Sequence, residues 1–114
     1  MVKPYLPEAG DIIWLDFDPQ AGREQSKRRP AVVLTDSKYN RASGLCVVCP
    51  LTSKKKGYPF EVPVVIGKIS GAVLADQVKS MDWVVRHAEL HSKAPDEVFT
   101  RVRTFVGVLL GLRP

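Results

Sequence analysis

The sequence predicts a mainly β protein, a small antiparallel barrel with helical additions, and three observations lead to this fold class. Six short runs rich in β-branched and aromatic residues follow one another at close spacing. Residues typical of turns and loops separate these runs. The last segment changes to the periodicity of a helix. Short strands followed by one terminal helix are typical of small barrels.

The six strands come first in chain order. They are predicted over residues 11–17, 31–35, 45–49, 60–66, 72–78 and 81–85. Pro30 stands at the start of the second strand, where its missing N–H does least harm. Between the second and third strands, Asp36 or Ser37 can cap a single helical turn, and Gly44 can end it.

The terminal helix is predicted over residues 95–111. Its apolar residues at positions 98, 102, 105, 106 and 109 fall on one helical face. Pro95 suits the first turn, and the acidic residues 96 and 97 complement the positive helix N-terminus. Gly111 suits the C-terminal stop.

Length and composition indicate one domain over residues 1–114. With 114 residues, of which 45% are hydrophobic, the chain can bury an ordinary core. The N-terminal residues lack an apolar run of signal-peptide length, and no window approaches the eighteen apolar residues of a membrane span. We therefore expect a cytoplasmic location and no contact with a membrane.

Positive charge is concentrated in two loops. The net charge is +5, and residues 21–60 hold most of the excess, with nine cations against Glu24 and Asp36. The loops are residues 22–30 and 53–57. The first is longer than a hairpin needs. A basic patch confined to loops predicts contact with phosphates, although a solvated charged surface would look the same.

Two pairs of residues resemble metal or redox sites. Cys46 and Cys49 lie in one predicted strand, where positions three apart face opposite sides, so we expect two reduced core or half-buried thiols. His87 and His91 lack the remaining ligands of a metal site and are expected to be loop or surface imidazoles. Neither a metal nor another cofactor is expected.

Cleaving RNA without a metal requires three events. A 2′-hydroxyl loses a proton, fixed donors meet the charge of the phosphorane, and the leaving 5′-oxygen gains a proton. Glu24 is the acid of the first loop, Arg29 is anchored beside Pro30, and Thr52 offers a hydroxyl where the third strand ends. The residue types alone also fit plain nucleic-acid binding, an ion pair or an ordinary turn.

Four ordered blocks of the sequence resemble the toxins of the MazF/PemK family, and the MazF branch most of all. They are GDIIWLDFDP with GREQ and RPAVVL, PLTS, KGYPFEV, and LADQVKSMDW. Together they span residues 5 to about 110. The resemblance implies an SH3-like barrel of the MazF/Kid/CcdB type and a homodimer. It also implies a toxin neutralised by a cognate MazE-like antitoxin.

The same resemblance implies an activity. Such a toxin would be a sequence-specific endoribonuclease, independent of metals and ribosomes, that cuts single-stranded mRNA and arrests translation and growth. Its products would carry 2′,3′-cyclic phosphate and 5′-hydroxyl ends. By motif position, Arg29 would stabilise the phosphorane, Thr52 would donate to a non-bridging oxygen, and Glu24 would act as base or position the 2′-hydroxyl.

A further set of residues is expected to hold the RNA. Phe17 offers a face for base stacking, although a core position is equally expected. The lysines of the second loop would steer phosphates rather than read bases. Asp76, Gln77 and Lys79 would read base edges or contact phosphate. The complete predicted set is Phe17, Lys27, Arg28, Ser53, Lys54, Lys56, Asp76, Gln77 and Lys79.

Two other classes of protein remain open at this point. One is a barrel that binds nucleic acid without catalysis, and the other is a toxin of the same fold that poisons a protein target such as a topoisomerase. The terminal helix and the strand containing Val84 and Val85 are candidates for the dimer surface.

Overall fold

The computed structural model describes residues 5–17 and 28–112. Within them the chain is mainly β, and each strand pairing is antiparallel. The elements in chain order are β1 (Asp11–Asp16), β2 (Arg28–Val33), α1 (Ser37–Ser43), β3 (Leu45–Thr52), β4 (Glu61–Ile66), β5 (Ile69–Leu74), β6 (Lys79–Asp82), β7 (Glu89–Lys93) and α2 (Asp96–Leu109).

Strand β3 organises the sheet. One edge pairs with β2, while the other edge pairs with β6 along Leu45–Val48 and with β5 at Leu51 and Thr52. The strand order of the sheet is β4-β5-β3-β2-β1-β7, and β6 lies off this path, paired with β3. Because β3 is shared by two partners in succession, the sheet curls into a half-barrel. The predicted fold class, with its C-terminal helix, is confirmed.

Two apolar clusters lie on opposite faces of the central strands. The first contains Ile12, Val32 and Cys49, and α2 covers it with Val98 and Val102. The second is formed by residues that alternate with these along the same strands, including Ile13, Val33 and Cys46. The two cysteines are buried in different clusters, as the strand alternation predicts.

Both helices lie close to their predicted positions, although α2 spans Asp96–Leu109 rather than residues 95–111. The Asp36 carboxylate accepts a hydrogen bond from the Tyr39 N–H at 3.0 Å and so caps α1, and Gly44 ends this helix in the left-handed region with φ 76°. Helix α2 follows Pro95 and carries Asp96 and Glu97 in its first turn. Neither helix in residues 28–112 combines the length and the apolar run needed to cross a bilayer.

The predicted bounds of the second and fifth strands are wrong. Strand β2 begins at Arg28, so Pro30 lies inside it rather than at its start. The ladder with β3 begins only at Ala31, so Pro30 is tolerated outside the doubly paired part. Strand β5 runs from Ile69 to Leu74 instead of 72–78. The Gln77 N–H donates to the Leu74 carbonyl at 3.0 Å, which turns the chain after the strand.

The region after β5 also corrects the sequence prediction. The Asp82 carboxylate accepts hydrogen bonds from the N–H groups of Val84 and Val85, at 3.0 and 2.8 Å. A turn therefore replaces the end of the predicted sixth strand, and both valines are exposed in it. Strand β7 was missed, because its sequence Glu-Leu-His-Ser-Lys lacks the apolar alternation of a buried strand.

Candidate active site

A cleft of about 470 Å³ opens where the ends of β2 and β3 meet the turn between β4 and β5. Three cations and three hydroxyls contribute to its wall, and the described lining contains no carboxylate. Such a wall suits a phosphate group, since it offers both positive charge and hydrogen-bond donors. The lining residues are Arg29, Pro30, Leu51, Thr52, Ser53, Lys54, Lys68, Ile69 and Ser70.

The β2–β3 register places Arg29 and Thr52 together. Ala31 pairs with Pro50, and Val33 pairs with Val48. Continuing this register by two residues brings Arg29 opposite Thr52, on the same face of the two strands. Both side chains then reach the cleft. The structure thus brings together two of the three catalytic candidates, while the third, Glu24, lies outside the described residues.

Arg29 is exposed, but an aromatic side chain supports it. The guanidinium carbon of Arg29 lies 5.9 Å from the centre of the Phe17 ring. Phe17 is itself partly buried and packs against the second apolar cluster. Packing against the core was one of the two roles predicted for Phe17. The face of its ring also attracts the positively charged guanidinium of Arg29. Stacking of a base on Phe17 stays a prediction.

Thr52 is held by its own loop and by the neighbouring strand. Its Oγ1 accepts a hydrogen bond from the Lys54 N–H at 3.1 Å. The hydroxyl proton remains able to donate to a ligand, because the oxygen acts only as acceptor in that bond. On the other side, a Cβ added to Gly71 would lie 1.9 Å from the Thr52 carbonyl oxygen. Close packing of β5 therefore fixes the backbone of Thr52.

The second basic loop is anchored by one carboxylate. Glu61 accepts hydrogen bonds from the N–H of Lys56 at 3.0 Å and from the N–H of Gly57 at 2.9 Å. Gly57 has a φ of 80°, a conformation that favours glycine. With the backbone held, Ser53, Lys54 and Lys56 present exposed side chains. Ser53 and Lys54 line the cleft, whereas Lys56 is not part of its wall.

Arg28 is not part of the cleft wall, although it was predicted to bind RNA beside Arg29. Its guanidinium donates to Asp16 and Glu89, both at 2.7 Å, and to the His87 carbonyl at 2.8 Å. His87 Nδ1 lies 2.8 Å from the second Asp16 oxygen. The bonds from His87 and Arg28 hold the pKa of the Asp16 carboxyl below its usual value.

The remaining predicted RNA contacts lie apart from the cleft wall. Asp76, Gln77 and Lys79 are exposed in the turn after β5 and at the start of β6. Lys27 lies outside the described residues. Contact of these four residues with RNA stays a prediction.

Lys68 and Ser70 were missed by the sequence reasoning. Lys68 lies in the turn between β4 and β5, and Ser70 follows in β5. The one sequence feature that could have indicated Lys68 as a site residue is its position directly after the turn glycine Gly67. It could be interpreted only with the pairing of β5 against the far end of β3, which brings this turn to the cleft.

No metal centre is formed by the part of the chain that the structure describes. Residues 5–17 and 28–112 contain no group of three His, Cys, Asp or Glu side chains that could share an ion. Burial raises the pKa of both Cys46 and Cys49 to about 12, with smaller effects from Asp82 and Asp76 respectively. Thiols with such pKa values are poor ligands and poor nucleophiles at neutral pH.

Comparison with known proteins agrees with the sequence motifs. Residues 8–110 match the family model of the PemK-like, MazF-like toxin of type II toxin-antitoxin system. The endoribonuclease toxin MazF of Escherichia coli K12 is 44% identical over 111 residues, which cover 97% of this chain and 100% of the relative.

Two crystal structures from Deinococcus radiodurans have the same fold. MazF alone matches with a TM-score of 0.85 and 50% identity, over 95% of this chain and 99% of that chain. MazF in a MazE–MazF structure matches with a TM-score of 0.89 and 50% identity, over 96% and 99%. This protein therefore belongs to the PemK-like, MazF-like toxins of type II toxin–antitoxin systems, the family that its four sequence blocks resemble.

Proposed function

We propose that this protein is an endoribonuclease toxin that cleaves single-stranded mRNA at a short specific sequence and thereby inhibits translation and growth. One observation carries the proposal. Arg29, near the start of β2, and Thr52, at the end of β3, line the same cationic cleft and lie opposite each other when the β2–β3 register is continued. The E. coli relative is an endoribonuclease toxin, which supports the same conclusion.

The proposed reaction is an internal transfer of the phosphoryl group. The 2′-oxygen attacks phosphorus, the bond from phosphorus to the 5′-oxygen breaks, and the 5′-oxygen takes up a proton. The products are a 2′,3′-cyclic phosphate and a 5′-hydroxyl. Arg29 donates to the phosphorane oxygens with its planar fork, and Thr52 donates its hydroxyl proton to a non-bridging oxygen.

Glu24 completes the proposed set as the base that removes or positions the 2′-hydroxyl proton. Its assignment depends on its position in the sequence motif, because it lies outside the described residues. Lys54 and Lys68 lie in the cleft wall, where they draw the flanking phosphates toward it. The charge needed at phosphorus is thus supplied by side chains, so we propose cleavage without a metal and without the ribosome.

The substrate is proposed to extend beyond the cleft. Lys56 would bind a phosphate of the RNA backbone, next to those bound by Ser53 and Lys54. Asp76, Gln77 and Lys79 would contact bases or phosphates further away. Phe17, beside Arg29, would support a base with the part of its ring that the core leaves exposed.

Regulation is proposed to follow the family pattern. A MazE-like antitoxin would place an acidic segment over the cationic cleft, since both it and RNA present negative charge there. The MazE–MazF structures from D. radiodurans support such a complex. Homodimer contacts would use exposed apolar residues in the turn after β6, near the end of α2 and just after it, namely Val84, Val85, Val108, Leu110 and Leu112.

The proposal is tested by cleavage of a long unstructured RNA in EDTA. Wild-type protein should make discrete cuts with 5′-hydroxyl ends, and Arg29→Ala and Thr52→Ala should each lose nearly all cutting. Lys38→Ala, which removes an exposed cation on α1, should cut like the wild type. End mapping also shows the cleavage sequence and tests for the cyclic phosphate.

The variants also separate the other classes of protein. A barrel that only binds nucleic acid would leave all RNAs intact, and Arg29→Ala would weaken binding modestly. A toxin with a protein target would be unaffected by Arg29→Ala. Absence of cutting on several RNAs by folded, dimeric wild-type protein would contradict the enzyme proposal.

A further inference from the structure

A cluster of charged residues lies beside the cleft without lining it. It consists of Asp16, Arg28, Arg86, His87 and Glu89, and we refer to it as the Asp16 cluster. It joins three segments: the end of β1, the start of β2, and the turn that leads into β7. None of its members belongs to the described wall of the cleft.

The contacts of the Asp16 cluster are numerous and short. Asp16 binds Arg28 at 2.7 Å with one carboxylate oxygen and His87 at 2.8 Å with the other. Arg28 also reaches Glu89 at 2.7 Å and the His87 carbonyl at 2.8 Å. The planar guanidinium of Arg28 offers several N–H donors in fixed directions and can therefore bind three acceptors at once. The single ammonium group of a lysine could not make the same three bonds.

The backbone takes part in the same cluster. Arg86 donates to the carbonyl oxygens of Asp16 at 2.9 Å and of Phe17 at 3.1 Å, and its own carbonyl accepts from the Asp16 N–H at 3.0 Å. His87 has a φ of 54°, in the left-handed region that a non-glycine residue seldom adopts. This conformation directs the His87 carbonyl to Arg28.

The charges of the Asp16 cluster largely cancel. The cluster holds two carboxylates, Asp16 and Glu89, and two guanidiniums. Both carboxylates bind Arg28, whereas Arg86 donates to backbone carbonyls. A phosphate approaching Arg28 would meet both carboxylates at hydrogen-bond distance from that guanidinium. The cluster is therefore a poor site for RNA, in contrast to the described cleft wall, which has cations without carboxylates.

The Asp16 cluster is, however, directly connected to the proposed catalytic pair. In the β1–β2 ladder, Asp16 pairs with Arg28, and the next pair is Leu15 with Arg29. Phe17, whose ring supports Arg29, follows Asp16 and is held by Arg86. The cluster thus fixes both backbones on which Phe17 and Arg29 are mounted.

We propose that Asp16, Arg28 and His87 are positioning residues, which hold Arg29 for phosphoryl transfer while Arg28 itself does not bind RNA. This inference rests on the proposed endoribonuclease function. Misplacement of a catalytic group by about 1 Å costs on the order of a hundredfold in rate. Loss of the cluster should consequently slow the chemical step and leave RNA affinity unchanged.

The test separates the rate of cleavage from binding. Single-turnover cleavage is measured at saturating protein, and affinity is measured with an RNA that carries a 2′-deoxynucleotide at the cleaved position. Arg28→Gln should cut about 10- to 100-fold more slowly, while its Kd and the salt dependence of Kd stay those of the wild type. Arg28→Lys should behave similarly, because it keeps the charge but cannot serve three acceptors.

A matched control and a double variant complete the design. Lys54→Gln, which removes a cation from the cleft wall, should weaken binding and lower the slope of log Kd against log salt by about 1. Asp16→Asn should slow cleavage as Arg28→Gln does. The double variant should be no slower than the slower single variant, because both changes remove the same interaction. Thermal unfolding checks that each variant is folded.

The outcomes distinguish the two proposals. If Arg28→Gln weakens binding and lowers the salt slope as Lys54→Gln does, Arg28 is an RNA contact and the inference is wrong. The inference also fails if Arg28→Gln and Arg28→Lys cut at the wild-type rate, or if the effects in the double variant multiply. If the wild-type protein itself cuts no RNA, the proposed function fails instead.

Discussion

Gly71 lies so close to Thr52 that a Cβ at position 71 would be 1.9 Å from the Thr52 carbonyl oxygen. The neighbouring residues pair in the β3–β5 ladder, where Thr52 is opposite Ala72. No side chain fits between two backbones at this separation. The position of Thr52, whose hydroxyl is a candidate catalytic group, therefore depends on residue 71 of β5 having no side chain.

We therefore expect Gly71→Ala to push β5 away from Thr52. Cleavage should fall at least tenfold and stability by about 2–4 kcal/mol, as for other overpacked buried sites. Gly107→Ala is the matched control. Nothing lies within 4 Å of a Cβ there, and its position in α2 should make alanine neutral or stabilising by up to about 1 kcal/mol. Urea unfolding and the RNA assay measure both effects, and wild-type behaviour of Gly71→Ala would contradict the close packing.

A pH dependence follows from Asp16. His87 and Arg28 hold the pKa of Asp16 below its ordinary value of 3.8. The ionised group therefore stabilises the fold at pH values above its pKa in the unfolded chain, and this stabilisation is lost as the pH falls through its folded-state pKa.

Asp16→Asn should accordingly cost about 1 kcal/mol at pH 6, as expected for a partly exposed pair of charges. The difference in free energy of unfolding from the wild type should shrink below pH of about 4. Asp76→Asn, at an exposed carboxyl, serves as the control and should show little difference at either pH. A constant difference for Asp16→Asn at all pH values would contradict the ion-pair explanation.

The two cysteines should be unreactive in the folded protein. Both thiols are fully buried, and burial raises the pKa of each to about 12. A thiol reagent at pH 8 should label neither in the native state and both in denaturant. Lys38→Cys, which adds a thiol on the exposed face of α1, should react immediately. Rapid labelling of Cys46 or Cys49 without unfolding would show that the clusters open.

Asn40 should be among the most sensitive polar residues. It is fully buried, and its side-chain amide donates to the carbonyls of Pro7 and Thr35, both at 2.9 Å, while its Oδ1 accepts from the Thr35 hydroxyl at 2.6 Å. Asn40→Ala leaves these groups without partners and should cost about 2–4 kcal/mol in urea unfolding. Lys38→Ala on the same helix should cost less than about 0.5 kcal/mol.

Local patterns were sufficient for much of the fold. The capping of α1 by Asp36, the acidic first turn of α2, and the burial of Cys46 and Cys49 on opposite faces depend on neighbouring residues in the sequence. The end of β6 could not be predicted in this way. It depends on the Asp82 side chain, which can equally well face solvent in an extended strand.

The residues of the candidate site also differ in whether local sequence patterns could predict them. Arg29 and Thr52 could be identified, because they belong to motifs with fixed places at strand ends. Lys68 could not, since its position depends on the non-sequential pairing of β5 with β3. Arg28 was predicted to bind RNA because composition shows a cation but not its ion-pair partners, and its contact with RNA stays a prediction. Of those partners, Glu89 is 61 residues away in the sequence and Asp16 is 12 residues away.

Because β3 is paired along both edges, substitutions within it are constrained more strongly than substitutions in the loop that follows it. Thr52 ends the strand that is shared by three neighbours, whereas the lysines at positions 54–56 extend from a loop. Substitutions in that loop can accumulate at little thermodynamic cost. Substitutions at these lysines can thus change the charge beside the cleft, while the strand that carries Thr52 keeps its position.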